Sequence, residues 1–180
     1  MSVYLETKRL ILRDWQDGDL EHFARINNDA VIMEFYPSRL DDAASAKLVK
    51  HFQEHINKHG YGFFAVENKE DGRFVGFAGL SHVPTNMPFA PAVELAWRMD
   101  YNFWGKGYAT EATRALLTFG FDECDLKEIV AYCVQGNDRA QHVLDRLGFE
   151  HDTAKDFTYA PRRLPNDKAD YSFYTMKAPA

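Results

Sequence analysis

Cysteine is scarce in this chain of 180 residues: only Cys124 and Cys133 occur, and no Cys-x-x-Cys pair exists. That excludes a disulfide framework and a four-thiolate zinc site, and points to reduced thiols. Long apolar runs are missing as well. No unbroken apolar stretch approaches the roughly 18 residues that a membrane span needs, and Glu6, Lys8 and Arg9 precede any apolar run, unlike a signal peptide. The expectation is a cytoplasmic protein with no membrane partner. Positive charge is in deficit, with 21 Lys and Arg against 27 Asp and Glu and a net charge of −6. Such a surface repels a nucleic-acid backbone, so no direct nucleic-acid partner is expected, and it favours a cationic substrate. What is abundant is apolar surface: 46% of residues are hydrophobic and 14% aromatic, including 14 Phe and 9 Tyr. A chain of this length and content fits one domain, residues 1–180.

Periodicity gives a coarse order of elements. Leu5 to Arg13 reads as an opening strand, with Leu10 and Leu12 at strand period. Asp17 or Asp19 can cap a short helix that buries Leu20, Phe23 and Ala24. A longer helix from Asp41 or Asp42 carries Ala44, Leu48, Phe52 and Ile56 on one stripe and stops at Gly60. Tyr61 to Glu67 and Phe74 to Val83 form a hairpin around Lys69-Glu70-Asp71-Gly72. Pro84, Pro88 and Pro91 enclose a segment without regular structure, expected to be mobile or substrate-facing. Then come a strand over Ala92 to Met99, a helix from Tyr108 to about Glu123, a strand over Ile129 to Val134, and a helix capped by Asn137 and ended by Gly148. Strand-like runs at Phe149 to Tyr159 and Ala169 to Met176 finish the chain, separated by Pro161 to Lys168. Hairpins first and crossovers later argue for an α/β (α+β) fold, a mixed sheet with helices on both faces.

The chemically informative stretch is Val93-Glu-Leu-Ala-Trp-Arg-Met99, followed by Trp104-Gly-Lys-Gly107-Tyr-Ala-Thr110. A strand runs through a glycine-containing turn into a helix, so unpaired backbone N–H groups converge at the helix start. Gly105 and Gly107 permit close approach, while the helix dipole and Lys106 add positive charge, an arrangement that suits a diphosphate. The dinucleotide fingerprint is excluded because it needs glycine at Thr110, and the P-loop because Gly107 follows Lys106.

These residues resemble the acetyl-CoA pyrophosphate loop of the GNAT acetyltransferases. Trp104 stands where that family commonly has Gln or Arg, a substitution familiar in the branch resembling the ribosomal-protein N-acetyltransferases RimJ and RimL. Glu-Leu-Ala-Trp-Arg98, Gly-Tyr-Ala-Thr-Glu-Ala112 and Asn137-Asp-Arg139-Ala-Gln-His-Val-Leu-Asp-Arg-Leu-Gly-Phe149 extend the likeness from about Glu6 to Lys177. The resemblance implies a largely antiparallel sheet of six to seven strands, splayed at those around 93–99 and 128–134. It implies acetyl-CoA as cosubstrate, held by Trp97, Arg98 and Met99, by Trp104, Gly105, Lys106, Gly107, Tyr108, Ala109 and Thr110, and by Asn137 and Arg139. It also implies an amine acceptor, foremost a protein N-terminal amine, with small amines such as polyamines, amino acids or antibiotics as the alternative, in a monomer or homodimer.

Acetyl transfer needs a neutral amine, a polarised carbonyl and a stabilised thiolate. Glu94 occupies a position where some relatives keep a carboxylate base; the other reading pairs it with Arg98 or with a bound cation. Asn137 is both a helix cap and a candidate catalytic or cofactor-arm residue. Where relatives place a Tyr or Ser acid, this chain has Leu144 and Ala140, so the acid is unassigned and a domain that binds acetyl-CoA without turnover is a third reading. Phe35, Tyr36, Phe89 and Trp97 are available to line a cleft or fill the core. His51-Phe-Gln-Glu54-His55 matches the HxxEH zinc pattern, with His59 a turn on. The sequence places no third ligand, so no metal is expected.

Overall fold

A buried ion pair fixes the start of the fold. The structure, a computed structural model, describes residues 2–160 and 168–179. Two strands, β1 (Val3–Glu6) and β2 (Leu10–Arg13), open the chain. Arg13 at the end of β2 is 3% exposed, and its guanidinium grips Asp19 bidentately at 2.7 and 2.9 Å and Glu67 at 2.7 Å. Asp19 is the first residue of α1 (Asp19–Asn28), whose N-cap is Gly18. The expected capping role of Asp17 or Asp19 is therefore not taken: the Asp19 carboxylate turns back to Arg13 and to the Gln16 amide. The single opening strand expected from Leu5 to Arg13 is also broken in two. Thr7 turns the chain by accepting the Leu10 amide on its Oγ1, and Glu111, far away in sequence, accepts from both the Thr7 hydroxyl and the Arg9 amide.

The remaining elements follow in order: α2 (Asp42–His59), β3 (Phe63–Asn68), β4 (Phe74–His82), β5 (Val93–Met99), α3 (Tyr108–Thr118), β6 (Glu128–Val134), α4 (Asp138–Leu147), β7 (Glu150–His151), β8 (Phe157–Tyr159) and β9 (Ala169–Lys177). Asp41 and Asn137 cap α2 and α4 through their side chains, and Gly60 and Gly148 end those helices in the left-handed conformation, as read from the sequence. The helix expected from Tyr108 to Glu123 is regular only to Thr118. Beyond it, one wider turn sends the Cys124 amide to the Phe119 carbonyl, five residues back. The run from Phe149 to Tyr159 is likewise two short strands around a turn, both pairing with β9. Of the break expected at Pro161 to Lys168, all but Lys168 lies outside the described residues.

Among the described residues the sheet has nine strands in the order β1-β2-β3-β4-β5-β6-β9-β7, with β8 also on β9. The excess over the expected six to seven comes from the split opening strand and the two short strands on β9. Helices cover both faces. Leu10, Leu12, Phe64, Val66, Leu95 and Ile129 point to the side of α3 and α4, against Ala112, Leu116 and Leu144. Ala65 and Phe77 point the other way, against Phe23 and Ile26 of α1 and Phe52 of α2. On that second side, the proline-containing segment between β4 and β5 lays Met87 and Phe89 over Val130 and Phe173. Replacing Arg13 by Met leaves Asp19 buried without its partner, a change that typically costs about 3–5 kcal/mol. Chemical denaturation of Arg13→Met is expected to show a loss of that size; a loss below about 1 kcal/mol would contradict the assigned role of the pair.

Candidate active site

The site begins where two parallel strands part. β5 is laddered to β4 along its whole length, from His82↔Val93 to Gly76↔Met99, but β5 and β6 share only the registered pair Glu94↔Val130. The Asp100 amide bonds to the Val75 carbonyl on the β4 side. By the alternation of an antiparallel ladder, the N–H groups of Trp97 and Met99 then face the opening toward β6. The sequence expectation of a splay at these strands is met. The side chains alternate with the backbone: Trp97 packs toward α3, whereas Glu94 and Arg98 lie on the face of α1.

Several contacts hold the opening apart. Arg98 donates to Asn27 of α1 and stacks 4.1 Å beneath the Tyr36 ring, and Arg25 of α1 pairs with the buried Asp100. The indole N–H of Trp104 donates to the Met99 carbonyl at 2.9 Å, filling the acceptor at the foot of the gap. Across the gap, the Arg139 guanidinium in the first turn of α4 lies 4.5 Å from the Trp104 ring and 2.9 Å from Glu34. These residues are far apart in sequence; Arg98, Met99, Trp104 and Arg139 belonged to the motifs, whereas Asn27, Arg25 and Glu34 did not.

At the start of α3, Gly105 and Gly107 have φ of 72° and 77°, a region that L side chains enter only with strain. Gly107 is the N-cap and offers no side chain, so the amides of Tyr108, Ala109 and Thr110 keep their donors for a ligand. An acidic residue in this turn ought to repel an anion, yet Glu111 is neutralised. Burial pushes its carboxyl upward, but hydrogen bonds from Thr7 and the Arg9 amide and the Arg9 charge outweigh that and hold it below the usual range. Arg9 also donates to the Lys106 carbonyl at 2.9 Å and lies 4.5 Å from the Tyr108 ring. Its charge thus cancels that of Glu111 beside the loop, a pairing that the sequence did not show because the partners are about a hundred residues apart. A groove of about 570 Å³ leaves Gly107 along α3 between Arg114 and Arg146; none of its lining residues belongs to β5 or β6, so it lies apart from Glu94.

Glu94 is partly buried on the opposite side of β5 from Trp97. Desolvation raises its carboxyl to about 7, opposed by the hydrogen-bonding hydroxyl of Tyr132 on β6. Burial, and then the Glu94 charge, raise the Tyr132 phenol in turn, keeping it neutral. The alternative pairing of Glu94 with Arg98 is not formed among the described residues; Arg98 is engaged by Asn27 and Tyr36. Of the aromatic residues proposed for a cleft, Tyr36 lies over Arg98 and Phe89 stacks near Tyr132, 5.4 Å between centroids, while Trp97 belongs to the other face and Phe35 sits near Arg139. Leu144 is fully buried core, and Ala140 gives its amide to the Asn137 side chain at 3.2 Å. Neither supplies an acid.

The family model for the Acetyltransferase (GNAT) domain matches residues 9–150. The chain is 29% identical to the uncharacterized protein YkkB of Bacillus subtilis over 148 residues, covering 82% of this chain and 85% of that one. The fold resembles the ribosomal-protein-S5-alanine acetyltransferase of Vibrio fischeri, with a TM-score of 0.76, 19% identity and coverage of 98% and 97%. It also resembles the spermidine N-acetyltransferase of Vibrio cholerae in complex with CoA and spermine, with a TM-score of 0.71, 20% identity and coverage of 95% and 96%.

The raised carboxyl of Glu94 couples stability to pH. A group that binds its proton more tightly when folded contributes stability that is present below its unfolded value of about 4.3 and lost as pH rises through its folded value, here about 7. Glu94→Gln is therefore expected to melt higher than the native chain at pH 8 and to lose that advantage by pH 4.5. An equal offset at both pH values would contradict the burial of this carboxyl.

Proposed function

The chain belongs to the GNAT acetyltransferase family, enzymes that use acetyl-CoA to acetylate amines, and from that premise we propose that it acetylates a protein or peptide N-terminal α-amine by direct transfer in a ternary complex. In this reading the diphosphate of acetyl-CoA rests on the amides of Gly105 to Thr110 with Lys106 and Arg9 nearby. Its pantetheine arm completes the open edge of β5 at Trp97 and Met99, as an added strand would. Asn137 and Arg139 flank that arm from α4.

The observation that carries the proposal is Glu94, a carboxyl near half-ionisation at neutral pH beside the open edge. A base works best when its pKa lies close to the working pH. Glu94 accepts the proton of the ammonium, directly or through one water; the neutral nitrogen attacks the thioester carbon, the C–S bond breaks, and the second proton shed by the nitrogen passes through solvent to the leaving thiolate, giving the amide and the CoA thiol. A carbonyl oxygen developing negative charge meets the Met99 amide, which needs no special side chain.

The surroundings favour a singly charged amine over a polyamine. Burial and the Tyr132 hydroxyl set Glu94, with no second carboxylate acting on it among the described residues, whereas a polyamine carries further cations that need partners. Tyr36, Phe89, Tyr132 and Tyr171 provide apolar walls of the kind that hold a peptide.

CoA release with N-terminal peptides and with spermidine tests the reading. Peptides are expected to turn over, and kcat/KM is expected to fall below pH 7 as Glu94 protonates. Glu94→Gln should lose about 10²- to 10⁴-fold at neutral pH, together with that acid limb. Turnover of spermidine alone would transfer the assignment to small amines; an unchanged pH profile in Glu94→Gln would remove Glu94 from the reaction.

A further inference from the structure

Three histidines meet at the end of the sheet, where α2 stops, away from the loop at α3. His55 and His59 lie one turn apart on α2, His82 ends β4, and one ring nitrogen from each lies within 4.8 Å of the others. The His59 ring is centred 4.5 Å from that of His55 and 4.5 Å from that of His82. His55 Nε2 stands 3.1 Å from His82 Nδ1.

The hydrogen bonds around them fix the tautomer of His55 and leave that of His82 free to adapt. His55 Nδ1 lies 2.9 Å from the Tyr61 carbonyl oxygen, which can only accept, so Nδ1 carries the proton and Nε2 is bare toward His82. The His82 backbone N–H reaches that same Nε2 at 3.3 Å, which also requires a lone pair there. The Tyr61 hydroxyl, 3.3 Å from His82 Nε2, can donate or accept there: without a metal His82 Nδ1–H donates to His55 Nε2, and with one the proton moves to Nε2 and Nδ1 becomes a ligand. Gly60 makes this possible by turning the chain at the end of α2, so that Tyr61 comes back beneath the histidines.

We propose that His55, His59 and His82 bind one divalent ion of the zinc class, with solvent in the fourth position. A tetrahedron with zinc–nitrogen bonds of about 2.0–2.1 Å has edges of about 3.3 Å, close to the 3.1 Å between His55 and His82. The partly buried His59 and the exposed His82 close the other edges by side-chain rotation. Anchoring of the far ring nitrogen on a backbone carbonyl, as in His55, is the outer support that ligating histidines commonly have. Burial, and then neighbouring positive charge, hold His55 and His82 below the usual imidazole range, so both are in the neutral form that ligates. An all-imidazole set selects zinc, copper or nickel over magnesium or calcium.

The proposal departs from the sequence expectation of no metal. The HxxEH pattern pointed to His51 and His55, but His51 is outside the cluster; the pair that converges is His55 and His59, and the missing ligand comes from a strand. The ion would tie the end of α2 to β4 at His82, which pairs with Val93 next to Glu94.

Calorimetric titration of the chelator-treated full chain with Zn²⁺ is expected to give one ion per chain, and zinc at about a hundredfold excess over Kd should raise Tm by about 5–10 °C. His59→Ala and His82→Ala should each weaken binding at least tenfold while melting like the native chain in chelator. His51→Ala should bind zinc normally, and Mg²⁺ should not bind. Absence of binding, affinity indifferent to His82→Ala, or equal loss in His51→Ala would overturn the proposal. Should a variant fail to fold, Co²⁺ absorbance of the unsubstituted chain decides: a tetrahedral spectrum supports the site and an octahedral one overturns it.

Discussion

An unpaired strand edge inside a folded protein is the constraint around which this structure is organised. β5 gives one edge to β4 in full and touches β6 at a single registered pair. Backbone polar groups left without partners are costly when water is excluded, so such a gap closes unless something holds it open or fills it. Here the contacts on either side hold it: α1 is tied to β5 by Arg98–Asn27 and Arg25–Asp100, and Trp104 occupies the Met99 carbonyl. Because α1 is itself pinned through Arg13 and Asp19, a buried ion pair at the start of the chain contributes to the geometry of a gap nearly ninety residues later.

The two sides of β5 divide the chemistry. Toward α3 lie bare helix amides, Lys106 and Arg9, a region that attracts phosphate charge. Toward α1 lies Glu94, whose carboxyl is raised by burial, with no cation compensating it among the described residues. A strand that alternates its side chains can present both environments to one bound thioester without mixing them, which keeps a base away from the anion-binding end. The Glu111 carboxylate shows the same economy: its charge is spent on Thr7 and Arg9, where it shapes the loop and leaves the helix dipole unopposed.

Much of this was legible in the sequence where local rules decide. The caps of α2 and α4, their left-handed glycine stops, the β3–β4 hairpin and the glycine turn before α3 all follow from residues within a few positions of one another. What escaped depends on distant partners. Leu5 to Arg13 contains no Gly or Pro, so nothing local marks the turn at Thr7; Glu111 stabilises it from α3. Arg9 was assigned no role at the loop for the same reason. Glu94 was recognisable as an anomalous acid on a sheet strand, but its partner Tyr132 and its freedom from Arg98 needed the register of three strands. The histidines show the limit most plainly, since spacing along a helix suggested one pair and the fold selected another.

The central claim is that the open edge of β5 is where the cosubstrate arm docks. Amide hydrogen exchange, read residue by residue with and without acetyl-CoA, tests it most directly. The account predicts that the Trp97 and Met99 amides exchange fast in the free chain and become protected when acetyl-CoA binds, while the Arg98 amide, already paired with β4, changes little. Binding of acetyl-CoA with no added protection at Trp97 and Met99 would contradict it.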